Sequence, residues 1–158
     1  MLNEFQVGKV WENMLSAEAR ALYFWNLASQ YTRTKQWISG ISFFLSSGVA
    51  ASLFAKAPNA IALMMASLLV ALLNAYSITV ALDRKIGTML KLHSIWQGIA
   101  TDYSNLWNHR DAGDAETKLD EIIKREREPS ELAATEGPYK PRLMEKWQNH
   151  VLASYHIG

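Results

Sequence analysis

This sequence predicts an all-α membrane protein: a two-helix transmembrane hairpin with long cytosolic helical extensions and a C-terminal helical segment. Three observations predict it. Two uncharged stretches, residues 36–55 and 57–82, are separated by the single cation Lys56. The fifteen acids and sixteen bases all lie outside them, so a mean hydropathy of −0.07 conceals a sharp segregation. Seven-residue apolar repeats flank the uncharged region on both sides. A soluble bundle with two buried central helices is the competing class, but such helices usually keep a polar stripe, and neither run has one.

Four segments follow. Residues 1–35 read as an N-terminal cytosolic helix, with Met14, Ala17, Ala21, Phe24, Ala28 and Tyr31 at alternating three- and four-residue steps. Gly8 weakens helix before residue 9. Residues 36–82 hold the spans, each able to cross a hydrocarbon core of about 30 Å at about 1.5 Å per residue. Lys56-Ala57-Pro58-Asn59 carries turn chemistry and breaks the run. Trp37 stands at the expected headgroup level, with Tyr31 just below it.

Residues 83–107 are expected to continue the second span without a break. Leu82, Met89, Leu92, Trp96, Ile99, Tyr103 and Leu106 hold a heptad along this extension. From Met89 onward that seam admits two compatible readings: a stalk paired with the N-terminal helix, or an oligomer contact, since two helices cannot cover several tryptophans.

Residues 108–158 form a charged C-terminal helical segment. The turn NHRDAG precedes a helix of about Ala115–Arg127, with Asp114 as its cap and Asp120/Lys124 and Glu121/Arg125 as i,i+4 pairs. Pro129, Gly137-Pro138 and Pro141 mark a linker. A last helix covers about Arg142–Tyr155, with Leu143, Trp147, Val151 and Ser154 on one side.

Cations near the span ends set the topology. Arg33 and Lys35 precede the first span; Arg84, Lys85 and Lys91 follow the second. Both termini are therefore expected in the cytoplasm, at the inner (plasma) membrane. The N-terminus lacks the apolar core and small-residue cleavage site of a removable signal peptide. With no cysteine, thiolate metal sites and disulfides are excluded.

Catalytic signatures are missing. The histidines at 93, 109, 150 and 156 form no H-x-x-x-H or H-E-x-x-H spacing. His109-Arg110-Asp111 spells a kinase-like tripeptide without the other kinase elements and reads as a polar turn. No glycine-rich phosphate loop and no G-x-S-x-G occurs. No enzyme activity, metal or cofactor is expected. Interleaved acids and bases in KREREPSE argue against a nucleic-acid partner.

The spans carry small and weakly polar residues instead of charges. Ser39, Ser42 and Ser46 share one face of the first. In the second, Ser67, Ala71, Ala75 and Thr79 repeat every four residues, with Asn74 and Ser77 adjacent. Such spacing brings helix backbones close in lipid, and Asn74 can hydrogen-bond across an interface. These residues either pack the two spans together or face neighbouring copies or a pore.

The layout resembles the SLATT family, two-transmembrane effector domains of prokaryotic nucleotide-linked conflict systems. The likeness lies in E-A-R-A-L-Y-F-W-N-L-A-S-Q-Y (Glu18–Tyr31), the serine- and glycine-rich first span and the L-D-R-K-I-G exit (Leu82–Gly87). It extends through the aromatic helix to Trp107 and covers about residues 10–110. The resemblance implies an oligomeric inner-membrane effector that forms a pore or disrupts the membrane when triggered, in anti-phage defence. Its partners would be the lipid bilayer, copies of itself and a nucleotide-signalling or sensor protein. The alternative is a membrane-anchored helical scaffold that binds a cytosolic protein.

Overall fold

A computed structural model of the chain describes residues 1–54 and 60–155. Every regular element among them is helical: α1 (Glu4–Phe54), α2 (Ala60–Thr79), α3 (Leu82–Asn108), α4 (Ala115–Arg125), α5 (Arg127–Glu136) and α6 (Pro141–Ser154). The turn expected at Lys56-Ala57-Pro58-Asn59 lies outside the described residues, as do Ala55 and His156. The helices divide into two compact units. Met1–Ala28 with Gly87–Gly158 form a helical lobe, and Ser29–Ile86 form an apolar unit.

Helix α1 begins earlier than Gly8 suggests because a reciprocal cap starts it. Gln6 N–H donates to Asn3 Oδ1 at 2.8 Å, and Asn3 N–H donates to Gln6 Oε1 at 2.9 Å. This is a capping box, which satisfies two donors left orphaned at a helix start. Once nucleated, the helix tolerates Gly8, at a cost of about 1 kcal/mol.

In the lobe, the predicted N-terminal repeat is buried from Met14 to Ala28, while its last member, Tyr31, belongs to the apolar unit and is half-buried. Val10, Met14, Ala17, Ala21, Phe24, Leu27 and Ala28 are all 4% exposed or less. Facing them, Met89, Leu92, Trp96, Ile99, Tyr103 and Leu106 are equally enclosed. Two helices alone could not cover Trp96 and Tyr103; α4, α5 and α6 supply the remainder through Leu119, Ile122, Pro129 and Val151. At one edge Trp11 meets Trp107 at 4.9 Å and Tyr155 at 5.3 Å between ring centroids.

The C-terminal segment departs from expectation in three places. Residues around Pro129 form α5, where a linker was expected. Proline is harmless there because it occupies the first turn, where its missing N–H has no intrahelical acceptor. Asp114 holds the N-cap position of α4 without a cap bond, its carboxylate engaging Lys118 at 2.8 Å instead. Arg125 pairs with Asp102 of α3, tying α4 to the seam helix where an i,i+4 contact with Glu121 was expected. Pro141 opens α6 at its first position.

Tyr23 fastens the α5–α6 connection. Its hydroxyl donates to the Pro138 carbonyl and accepts the Lys140 N–H at 3.0 Å. Gly137 is the tight point of this connection, since a Cβ there would stand 2.5 Å from the Ala133 carbonyl oxygen. Gly137→Ala is expected to cost roughly 1–3 kcal/mol by forcing backbone apart. Thermal unfolding, with hydrogen exchange on residues 138–144, checks it; an unchanged melting temperature would show that the turn yields freely.

The apolar unit contains one further departure. Rather than an unbroken helix from α2 into α3, there is a break at Val80–Ala81. Ala81 N–H donates to the Ile78 carbonyl at 3.0 Å, a tightened last turn, and Ala81 adopts φ 48°. Its carbonyl then accepts Lys85 N–H at 3.0 Å and starts α3. An alanine in this left-handed region costs about 1–2 kcal/mol.

Candidate functional site

The apolar unit carries the unusual surface of this molecule. On α2, Ile61, Met64, Met65, Leu68, Leu72 and Ile78 are each more than half exposed. On α1, Trp37, Phe43 and Phe44 are more than 70% exposed. Soluble proteins rarely leave large apolar side chains contiguous and open to water. Among the described residues, one helical stretch, beginning at Leu63, is long and apolar enough to cross a membrane, and none of its most apolar window is buried.

Beneath that surface both helices carry an inner line. On α1 the enclosed or half-enclosed positions are Tyr31, Lys35, Ile38, Ser42 and Leu45. On α2 they are Leu63, Ala66, Val70, Leu73 and Ser77, with Val80 following at the break. Both follow the three–four alternation of helices meeting along a seam. At the unit's charged end, Lys35 pairs with Asp83, and the Lys85 ammonium stands 5.9 Å from the Tyr31 ring centroid. These contacts bring the cations that precede the first apolar run beside those that follow the second.

The predicted weakly polar residues separate into two groups. Ser42 is buried, its hydroxyl oxygen without a hydrogen-bond partner among the described residues, and Ser77 is half-buried. Ser39, Ser46, Ser67, Asn74 and Thr79 are exposed. The serines at 39 and 46 therefore do not share the enclosed line of Ser42, which instead runs through Ile38 and Leu45. On α2, Ser67, Ala71, Asn74 and Ala75 are exposed, and Ser67 and Asn74 flank the enclosed line, three or four residues from Leu63, Val70 and Ser77.

The predicted oligomer seam stands elsewhere. Met89, Leu92, Trp96, Ile99, Tyr103 and Leu106 are 0–3% exposed within a single chain. Within the chain they pack against α1, as a stalk seam would. Sequence reasoning missed the polar groups threaded through this core. Asn13 Nδ2 donates to Tyr103 Oη at 3.1 Å, His93 Nδ1 sits 2.9 Å from the Ala21 carbonyl, and the Arg20 guanidinium lies 4.5 Å from the Trp96 ring centroid. The signal lay in Asn13 and Arg20, each one residue before or after a seam position.

Burial pushes the Tyr103 phenol well above its ordinary range, and the Glu126 carboxylate adds to the shift. The folded state thus holds this proton more tightly than the unfolded chain does. The resulting stability is present below about pH 10, the unfolded value, and is lost as pH climbs beyond it. Melting temperatures between neutral pH and pH 11 should fall in the alkaline arm. Tyr103→Phe should flatten that arm while lowering neutral stability by about 1 kcal/mol through the stranded Asn13 amide. Parallel curves for the two proteins would contradict this.

Among the described residues, no group of three or more histidine and carboxylate side chains converges to hold a metal ion. Comparison of the chain with protein-family models, with curated proteins and with solved structures finds no match in any of the three.

Proposed function

We propose that this chain is a two-span effector of the inner membrane, both termini cytoplasmic, which assembles with copies of itself and perforates or depolarises the bilayer when triggered. The observation that carries the reading is the exposed Asn74, set with Ser67, Ala71 and Ala75 at exposed positions of an uncharged, largely apolar helix. In hydrocarbon an amide without a partner costs several kcal/mol, about the scale of a lost buried hydrogen bond or more. Small neighbours let a second backbone approach closely enough to supply that partner. The exposed apolar belt supports immersion in lipid. The clustering of Arg33, Lys35, Arg84 and Lys85 at one end supports a hairpin with that end inside. The SLATT resemblance adds the expectation of a role in anti-phage defence, triggered by a nucleotide-signalling or sensor protein.

A membrane-anchored scaffold is the second reading, favoured by the five-helix lobe whose seam closes within one chain. One experiment separates them. The protein is induced in a bacterium loaded with a potential-sensitive dye, beside Asn74→Leu and Ser67→Leu variants expressed to the same level. The effector reading expects depolarisation that the variants lose or weaken. Steady potential in all three, with and without phage challenge, would leave the scaffold.

A further inference from the structure

A cavity of about 380 Å³ opens in the helical lobe, within the size range of small-molecule sites. It lies between α1, α3, α5 and the start of α6, and its walls include Arg20, Phe24, Trp96, Ser130, Tyr139 and Met144. Three of these are aromatic and one is a thioether, surfaces that favour flat, polarisable partners.

Arg20 is the chemically distinctive member. It is half-buried, its guanidinium lies against the Trp96 ring, and among the described residues no carboxylate pairs with it. Stacking on an indole occupies the face of a guanidinium and leaves its N–H edge for an in-plane, bidentate anion. Asp102 pairs with Arg125 and Glu128 with Lys91, and the Glu126 carboxylate engages the Tyr103 phenol. Tyr139 is 80% exposed at the opening, and Tyr23 holds the Pro138–Lys140 backbone behind it in place. The wall is therefore built before any ligand arrives.

We infer that this cavity binds a small organic anion with a flat apolar body, an aryl carboxylate or aryl phosphate, its anionic group on Arg20 and its ring among Phe24, Trp96 and Tyr139. The site rests on the lobe alone and stands or falls independently of the membrane reading.

The test is calorimetric titration of the full chain in lipid nanodiscs, with empty nanodiscs subtracted for partitioning. The probes are 2-naphthoate, 1-naphthyl phosphate and the neutral 2-naphthalenemethanol. Saturable one-site binding of at least one anion is expected, with the alcohol weaker by about tenfold or more, as loss of a charge-assisted pair implies. Arg20→Gln should weaken the anion by a similar factor and leave the alcohol unchanged. Ala134→Trp, on the exposed flank of α5, should block every probe without touching the core. The tighter anion identifies the head group. Absence of saturable binding up to about 1 mM, or equal binding by the parent and both variants, would overturn the site.

Discussion

Trp96→Ala should be the most damaging single substitution in the lobe. Trp96 is 1% exposed at the middle of the α3 seam, and truncating a buried tryptophan costs about 3–5 kcal/mol. That is a large share of a typical domain's stability of about 5–15 kcal/mol. Two further effects pull in opposite directions. Arg20 loses its ring partner, a contact of about 0.5–1 kcal/mol. Against that, the indole N–H is buried without an acceptor among the described residues, so its removal relieves a cost of about 1–3 kcal/mol. The second term makes Trp96→Phe the informative companion. Phenylalanine keeps the apolar ring and discards the orphan donor, so its net loss should stay below about 1.5 kcal/mol. Denaturant unfolding of both variants, followed by circular dichroism, should separate them widely. Equal losses would mean that the N–H finds a partner.

Leu68→Arg should have an effect whose sign reports the environment of α2. Leu68 is 59% exposed near the middle of this 20-residue helix. In a bilayer, arginine at that depth costs about 2.5–3.5 kcal/mol of insertion, so membrane-integrated protein should fall sharply on flotation. In water the same change would remove an exposed apolar side chain and leave or raise solubility. Thr101→Arg, exposed on α3 in the lobe, is the matched control and should float as the parent does. A Leu68→Arg protein with more soluble material and unchanged folding would remove the membrane reading.

How much of this could be read from the residues depends on which force set each feature. The seam from Met89 to Leu106 was legible because burial on one helix face writes its period directly into the chain. That all six positions would close within one chain was not, because the covering side chains come from α4 to α6, whose apolar faces are narrow. Helix α5 escaped notice behind Pro129, although Glu126-Arg127-Glu128 before it suits a helix start with proline in the first turn. The capping box at Asn3 and Gln6 was readable from its N-x-x-Q spacing. At the weakly polar positions, spacing grouped Ser39, Ser42 and Ser46 on one side. Burial selected only Ser42, because the enclosed line is narrower than the helical face that contains all three. The break at Val80–Ala81 left no mark at all, since neither residue is a glycine or a proline.

That break separates two counting frames. In one continuous helix, inserting a single residue would swing every later side chain by about 100° around the axis. Here α2 stops at Thr79 and α3 is numbered afresh from Leu82. A residue gained or lost in α2 leaves the spacing of Met89, Trp96 and Tyr103 along α3 unchanged. The left-handed alanine is the joint at which one helical count ends and the heptad's own count begins.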